Sequence, residues 1–404
     1  MMVFLYLVLV SGCGKGNGKQ TIRLWHFWSE PAQEKALQSI IRDFEKEFPA
    51  YHVEQTPLQW SDGKTKLMMA YASQSEPDVV HLGLEWVDEF ARKGVLDSVT
   101  SLLPATYHSE VLKAVQQNGT AYAVPFTMNT RALFVRKDIL PIKDYQGRWQ
   151  DVLVSTAAQQ GAGINAYEPH NVFKKCVPFL WSYGSHIFTS VPYSQTFDEA
   201  AVRGVERYCS IAKQGIIEPS RSLDARMKTG TATLWMSGMW NLGDSSINRT
   251  YIVFGGLPTD GNMPDTITQR TKSILSADCY AINRSTTSRT GARLLISFLA
   301  RASVQRTFCI AIPDAGFPVH SVSLEDAERD KELYRRTINT YFFFLQTMNS
   351  ISIPASQHFD DVERIFEEEI MNAVYGKSSA ASAIESARMR IRTIENTSHA
   401  ATSR

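Results

Sequence analysis

Tryptophans beside a polar residue are the features of this sequence whose types and spacing best suit chemistry at a binding surface. The clearest pairs are Trp28-Ser29, Trp60-Ser61, Glu85-Trp86 and Trp240-Asn241. An indole ring offers a flat apolar face, and a neighbouring hydroxyl, carboxylate or amide can hydrogen-bond a partner. Aromatic rings more often pack in a core than bind a ligand, so both interpretations stay open for each pair.

The segment 227–242 is the most informative of these regions. It contains a small-residue turn at 229–231, an apolar run at 232–236, Gly238, and then Trp240-Asn241. The pattern predicts a buried strand or short helix that carries a ring and an amide to a loop, where glycine lets the backbone approach a neighbour closely. An ordinary core strand with two core tryptophans is the alternative.

Predicted strands lead to three of the tryptophans. The segments 21–28, 51–59 and 77–82 are β-branched, aromatic or alternating in character, and helical spacing of apolar residues follows each of them. Strands that alternate with helices predict a largely parallel sheet with helices on both faces. Ligands of such sheets bind beyond the carboxyl ends of the strands, and these ends lead here to Trp28, Trp60 and Trp86.

The segments 121–125 and 131–137 are predicted strands that bracket 126–130, and they suggest a crossing between two lobes. The pattern then restarts and continues to a polar, frayed end at 395–404. The remaining predicted elements are helices at 149–160, 172–183 and 198–214, a return strand at 273–283, a single helix at 291–308, and helices at 326–349, 359–375 and 379–394.

Composition is that of a globular protein. The 404 residues allow two domains, and 44% of them are hydrophobic and 21% charged. The formal net charge of +1 offers no basic field for a nucleic acid, so nucleic acid is excluded as a partner.

The N-terminus has the features of an export signal. Residues 1–10 are continuously apolar and too short to span a bilayer. Small residues follow and lead to Cys13, which predicts a signal peptide at 1–12, lipidation of Cys13 and a flexible tether at 13–20. No basic residue precedes the apolar run, so the signal is atypical or the true start codon lies upstream. A buried first strand with an incidental cysteine is the alternative.

Enzyme motifs and metal motifs are missing from the sequence. It has no GxSxG, HExxH, P-loop or GxGxxG, although Glu85, Asp88 and Glu89 could imitate the carboxylate pair of a glycosidase. We expect no cofactor and no metal. The other cysteines form no CxxC pair, and in an exported protein they could form disulfides that their spacing does not define: Cys176, Cys209, Cys279 and Cys309.

Taken together, these stretches resemble extracellular solute-binding protein family 1, the maltose-binding-protein-like class that serves ABC importers. The match covers nearly the whole mature chain. It departs from the family where a Gly-Lys-Ala-Ala-Met segment reads Gly-Thr-Ala-Thr-Leu and where a Gly-Gly reads Gly184-Ser185. The residues that carry it lie at 25–28, 77–79, 86–96, 122–125, 133–138, 230–240, 298–305, 316–318 and 376–387.

The resemblance implies an α/β, type II periplasmic-binding-protein fold, in which two discontinuous lobes joined by a hinge close on a ligand. It places the N-terminal lobe at 21–127 and 275–325, the C-terminal lobe at 128–274 and 326–396, and a disordered tail at 397–404. It implies ligand contacts from residues of both lobes: Trp28, Ser29, Trp60, Trp86, Asn129, Trp181, Gly184, Trp240, Asn241, His358 and Phe359.

The function that the resemblance implies is capture of a sugar or oligosaccharide by a monomer that delivers it to ABC permease subunits. Flat rings can cover the C–H faces of a sugar, while fixed polar groups pair its hydroxyls, each of which costs about 1–3 kcal/mol if buried alone. A glycerol phosphodiester or glycerol phosphate is an alternative ligand, for which Arg131, Arg221 and Arg226 are candidates. A glycan-acting enzyme and a surface adhesin are alternatives of other classes.

Overall fold

The computed structural model describes residues 18–138, 161–168, 171–255 and 271–402. The predicted helix at 149–160, the signal peptide and Cys13 lie outside these residues. The strands are β1 Gln20–His26, β2 Tyr51–Pro57, β3 Val79–Gly83, β4 Gln116–Gln117, β5 Thr120–Ala121, β6 Val124–Asn129, β7 Arg131–Arg136, β8 Gly163–Asn165, β9 Ile216–Glu218, β10 Leu234–Gly238, β11 Tyr251–Gly255, β12 Ser273–Ile274, β13 Ser276–Ile282, β14 Phe317–Pro318 and β15 Ser350–Ile351.

The helices surround these strands, and short 3₁₀ turns lie at Thr100–Leu102, Tyr193–Gln195, Met239–Gly243 and Pro313–Ala315. The α-helices are α1 Pro31–Glu47, α2 Gly63–Ala72, α3 Leu84–Arg92, α4 Ser109–Ala114, α5 Asn171–Ser182, α6 Glu199–Gln214, α7 Ser220–Lys228, α8 Ser245–Thr250, α9 Arg289–Leu299, α10 Ala302–Ala311, α11 Leu324–Arg329, α12 Ile338–Met348, α13 Phe359–Val374 and α14 Ala380–Thr402.

Two sheets define two lobes. The first lobe is built on a six-stranded sheet of order β14-β6-β13-β3-β1-β2, and the second on a three-stranded sheet of order β10-β7-β11. The predicted parallel arrangement holds for β1, β2 and β3. The other half of the first sheet is antiparallel, because β13 returns from the second lobe against both β3 and β6.

The chain crosses between the lobes where the strands change partners. It passes from β6 to β7 at Thr130 and returns between β12 and β13, and β15 pairs with β12 beside this crossing. Each lobe is therefore discontinuous in sequence. The exact predicted boundaries of the lobes stay a prediction.

Amphipathic helices cover the first sheet as their spacing predicts. In α1 the buried residues Leu37, Ile40, Ile41 and Phe44 recur three or four positions apart and face the core. The helix ends at the Phe48 cap, before Pro49, which cannot continue it.

Two predicted helices are broken in the structure. The helix predicted at 291–308 is α9 followed by α10, and the two are bent by 66°. The bend lets Phe298 face Phe44 while Phe308 faces Trp28, so both rings reach the core. The helix predicted at 326–349 is α11 and α12, because Asp330 accepts backbone N–H groups and forms a turn.

The predicted tail at 397–404 requires a correction. Helix α14 continues to Thr402, because the segment 395–402 contains neither proline nor glycine to end it.

Candidate functional site

A cavity that is open to solvent lies between the lobes beside the crossing segments, and its space amounts to about 540 Å³ only when the open solvent at its mouth is included. Both lobes and the crossings contribute to its wall, so the cavity exists only where the halves meet. Its lining consists of Leu84, Glu85, Asp88 and Ala114 from the first lobe, Phe173, Lys174 and Phe359 from the second, and Ile274, Leu275, Ser276, Ser352, Ile353, Pro354, Ala355 and Ser356 from the crossings and the segment after β15.

An ion pair spans the cavity. Nζ of Lys174, in α5, lies 2.6 Å from Oε1 of Glu85, in the first turn of α3. Both side chains are largely shielded from water, with 13% and 18% of their surfaces exposed. The first turn of α5 is fixed in place because the backbone N–H of Phe173 donates to Oε1 of Glu367, 2.9 Å away in α13.

A second ion pair joins the lobes at α2 and α13. Nζ of Lys64 lies 2.5 Å from Oδ2 of Asp360 and 2.8 Å from Oε2 of Glu89. Burial alone would lower the pKa of Lys64, but the two carboxylates outweigh it and raise that pKa. Lys64 therefore carries a cation that both lobes share.

Trp240 provides an exposed ring at the end of β10. Its side chain is 37% exposed, and its indole N–H donates to Oδ2 of Asp224 over 2.9 Å. The guanidinium carbon of Arg131 lies 4.6 Å from the centre of the ring. Gly238 permits this arrangement, because a Cβ there would lie 1.8 Å from a carbon of the Trp240 ring. The close approach that the sequence predicts is therefore made by the tryptophan itself.

Asn241 has a different position from its neighbour. It is only 2% exposed, and its amide donates to Asp224 and to the hydroxyl of Ser237. Its side chain therefore holds Asp224, and direct contact with a ligand stays a prediction.

The first-lobe tryptophans divide into a packed group and an exposed ring. Trp28 is 5% exposed, and its indole N–H donates to the hydroxyl of Tyr280. Trp86 is 4% exposed, whereas Trp60 is 47% exposed and stacks on Phe27 with ring centres 4.3 Å apart. The ring centres of Trp60 and Trp86 are 5.3 Å apart, so the ends of β2 and β3 meet as the sequence predicts.

The other predicted contacts are distributed over both lobes. Ser29 is half-buried after β1, and Asn129 accepts a hydrogen bond from Arg131 at the crossing. Trp181 is buried and donates to a backbone oxygen, and Gly184 ends α5 with a φ of 82°. Of the eleven predicted contacts, Phe359 is the one found among the described residues that line the cavity, so contact of the other ten with a ligand stays a prediction.

Phe359 lines the cavity, as the sequence predicts for the start of α13. Its ring meets the edge of Phe173, with the ring centres 5.6 Å apart. His358 is half-buried beside it, with Nε2 2.9 Å from Nε2 of Gln357. Phe359 and Phe173 therefore give the second lobe an apolar wall.

Sequence reasoning missed some of the residues that build the site. Lys174 and Asp224 were not candidates, Glu85 was considered only as a catalytic acid, and Arg131 only as a phosphate ligand. The position of Glu85 directly after β3 is a signal that could have identified it. Asp224 lies on α7, ahead of the strand that carries Trp240, and no local signal links the two.

Buried basic side chains lie over Trp240 and over the nearby Trp235. Burial lowers the pKa of Arg131 to about 10, although Glu85, Asp224 and Asp278 act in the opposite direction, so Arg131 is a cation at neutral pH. Burial and the charge of Arg131 lower the pKa of Lys175 to about 7.

Metal-ligating groups, membrane-spanning helices and cysteines can be assessed for the described residues. In that part of the chain, no group of three or more His, Cys, Asp or Glu is placed to hold a metal ion. Among the described helices, none taken alone has the length and apolar character of a transmembrane span. Helices α9 and α10 have them only when they are counted together across their bend. Cys176, Cys209, Cys279 and Cys309 are free thiols in buried positions.

The chain is similar in sequence to known extracellular solute-binding proteins. The family model for bacterial extracellular solute-binding proteins matches residues 39–333. An uncharacterized lipoprotein in the oleD 5' region of Streptomyces antibioticus is 26% identical over 141 residues, which are 33% of this chain and 31% of the relative. The multiple sugar-binding protein of Streptococcus mutans is 26% identical over 143 residues, or 34% of each chain. The matches span about a third of these relatives.

A solved structure confirms the fold class. The solute-binding protein of an ABC transporter from Thermotoga lettingae, bound with α-D-tagatose, has a TM-score of 0.77 and 16% identity. The likeness covers 93% of this chain and 100% of the other. The predicted two-lobed, type II periplasmic-binding-protein fold is therefore confirmed.

Proposed function

The chain belongs to the bacterial extracellular solute-binding protein family, and from that premise we propose that it is the substrate-binding component of an ABC importer for a sugar or oligosaccharide. The lobes close on the ligand without altering it, and the closed form delivers it to the permease. The observation that carries the proposal is the solvent-open cavity, whose wall comes from both lobes and the crossings.

The lining of the cleft suits a polyhydroxylated ligand. The rings of Phe173 and Phe359 offer apolar surface to C–H groups. Trp240 is not part of this lining, but its exposed ring belongs to a turn that meets Pro313–Ala315 of the first lobe, and we assign it to the same interlobe site. Glu85 and Lys174 offer an acceptor and a donor for hydroxyl groups, at positions that already exclude most water. A sugar presents both kinds of surface at once.

The glycerol phosphodiester alternative receives little support from the arginines considered for it. Arg226 donates two hydrogen bonds to Glu218, and Arg221 is exposed. Arg131 lies beside the cleft, but carboxylates surround it. A phosphate would therefore meet negative charge close to its best cation.

The glycan-acting alternative is also less favoured, because the three acids considered for it are engaged in ion pairs. Glu85 pairs with Lys174, Asp88 with Arg92 at 2.7 Å, and Glu89 with Lys64. Burial alone would raise the pKa of Glu89, but Lys64 and Lys93 outweigh it and lower that pKa, which is the reverse of what a general acid needs.

We further propose that the protein is exported, lipid-anchored through Cys13 and monomeric. The family is extracellular by its description, and one relative is named a lipoprotein. The signal and Cys13 lie outside the described residues, so the sequence pattern alone supports the anchor.

The test is a thermal-shift screen of neutral sugars and oligosaccharides against glycerophosphodiesters, followed by calorimetry on Trp240→Ala. We expect a sugar to raise the melting temperature and Trp240→Ala to lose its binding with an unchanged circular dichroism spectrum, because the exposed platform is gone. Tyr375→Ala is the control, since Tyr375 is an exposed ring at the end of α13. Full sugar affinity in Trp240→Ala would contradict the proposed site.

A further inference from the structure

One carboxylate organises the turn that carries Trp240, and this turn meets Pro313–Ala315 of the first lobe, so it lies between the lobes. Asp224, on α7, accepts hydrogen bonds over 2.9–3.0 Å, and every one of these donors is uncharged. Oδ2 accepts from Trp240, while Oδ1 accepts from the other three groups. The donors are the indole N–H groups of Trp235 and Trp240, the hydroxyl of Ser237 and the amide of Asn241.

Each of the two indoles bound to Asp224 also faces a cation. The guanidinium carbon of Arg131 lies 4.6 Å from the centre of the Trp240 ring, and Nζ of Lys175 lies 4.2 Å from that of Trp235. Both cations are buried, with 8% and 2% of their surfaces exposed. Asp224 therefore lies between two buried basic side chains and is hydrogen-bonded to the tryptophan that each of them faces.

The other acids near Arg131 each take part in an ion pair or a hydrogen bond. Glu85 pairs with Lys174 across the cavity, and Asp278 lies 2.9 Å from Nε2 of His81. Lys175 donates to Asn165 and Ser220, and faces Glu168 and Glu367 as well as Arg131 and Asp224. Since its pKa is lowered to about 7, Lys175 loses much of its charge near neutral pH. The charge that remains beside Trp240 is that of Arg131, which Asp224 offsets.

We propose that Asp224 determines specificity by fixing the Trp240 ring and offsetting the charge of Arg131, so that this end of the cleft selects an uncharged sugar ring over an acidic one. This rests on the proposed function and defines the class of ligand further. A carboxylate or phosphate on the ligand meets the repulsion of Asp224 together with the attraction of Arg131, and therefore gains little from its charge.

The test is Asp224→Asn, with inorganic sulfate as the probe at low ionic strength. The amide keeps an acceptor but removes the negative charge, so Arg131 should attract the anion. We expect the Kd for sulfate to fall on the order of tenfold, and the indole N–H resonance of Trp240, assigned with Trp240→Phe, to shift because its acceptor changes. Asp361→Asn makes the same charge change on the exposed face of α13 and should alter neither. Equal sulfate affinities in the two variants would overturn the proposal.

Arg131→Met provides a reciprocal test, which also applies if Asp224→Asn does not fold. With the guanidinium gone, the charge of Asp224 is no longer offset, so ammonium should bind more tightly than in the unmodified protein and sulfate more weakly. An unchanged preference between the two ions would contradict the inference. Neither measurement uses a sugar. A failure to find any sugar ligand would therefore refute the proposed function. The ion-binding measurements would still test the role of Asp224.

Discussion

A buried lysine lies behind the binding surface. Lys175 is 2% exposed and follows Lys174, which faces the cavity. Its Nζ donates to Oδ1 of Asn165 and to Oγ of Ser220. These bonds satisfy a neutral amine as well as an ammonium, so they do not select between the two protonation states. Burial disfavours the charged state and lowers the pKa of Lys175 to about 7 from a usual value of 10.5.

This lysine should make stability depend on pH. Between about pH 7 and pH 10.5 the unfolded chain binds one more proton at this site than the folded chain, so stability rises with pH across that window. Lys175→Met should be more stable than the unmodified protein at pH 7, by on the order of 2–4 kcal/mol, and should lose this advantage toward pH 10. Denaturant unfolding at several pH values measures the difference.

Lys213→Met is the matched control for this prediction, because Lys213 is an exposed lysine on α6. It should change stability by the same small amount at every pH. A constant difference between Lys175→Met and the unmodified protein would contradict the prediction.

At the scale of single residues, the sequence predicted the local structure of 227–242, whereas the roles of its residues at a binding site stay a prediction. It predicted that 227–242 delivers a ring and an amide to a loop, and β10 with its 3₁₀ turn does so. It could not separate the exposed Trp240 from the buried Asn241, because the direction of each side chain depends on Asp224, a residue of another element. The sequence also did not distinguish packed Trp28 from exposed Trp60, because their positions depend on contacts with Tyr280 and Phe27 in other parts of the chain.

At the scale of elements, α2 and α13 meet across the lobes through the cation of Lys64. Glu89 belongs to the same lobe as Lys64, whereas Asp360 belongs to the other. Lys64 therefore keeps a partner when the lobes separate, and the bond to Asp360 can break without leaving the lysine unpaired. Such a pair stabilises the arrangement in which the two lobes are in contact, and it still allows them to separate.

Asp360→Asn should therefore shift the ligand-free protein toward the open arrangement. For a partly exposed pair worth roughly 0.2–1 kcal/mol, the ratio of closed to open molecules should fall about threefold. Single-molecule fluorescence transfer between dyes on the two lobes measures this ratio, and high salt should remove the difference. Asp361→Asn is the control, because Asp361 pairs with Arg364 on the same helix at 2.9 Å. Identical ratios for the two variants would rule out this role.

Helix content was predictable, but helix continuity was not. Apolar spacing and caps identified α1, α2, α5, α6 and α13 to within a few residues. The bend between α9 and α10 follows from packing of Phe298 and Phe308 on different parts of the core, and such contacts are distant in sequence. The antiparallel half of the first sheet was also not predictable, because it depends on pairing between β13 and strands that are distant in sequence.

At the scale of the whole molecule, α12 connects the cores of the two lobes. The ring of Phe343 lies 6.2 Å from that of Phe134, in the sheet of the second lobe. The adjacent Phe344 lies 5.4 Å from Phe317, in the sheet of the first lobe. Both phenylalanines are fully buried and belong to one apolar cluster that extends through the first lobe to one face of the second sheet. The two lobes therefore share part of a core.

A shared core predicts that the lobes unfold together. Phe344→Ala should destabilise the protein by about 3–5 kcal/mol, because a ring is lost from a site that cannot collapse, and calorimetry should show one transition at a lower temperature. Phe366→Ala removes the same ring from the separate cluster of the second lobe, and it should lower that one transition as well. Two resolved transitions, of which Phe366→Ala moves only one, would show instead that each lobe folds alone and that α12 adds no coupling between them.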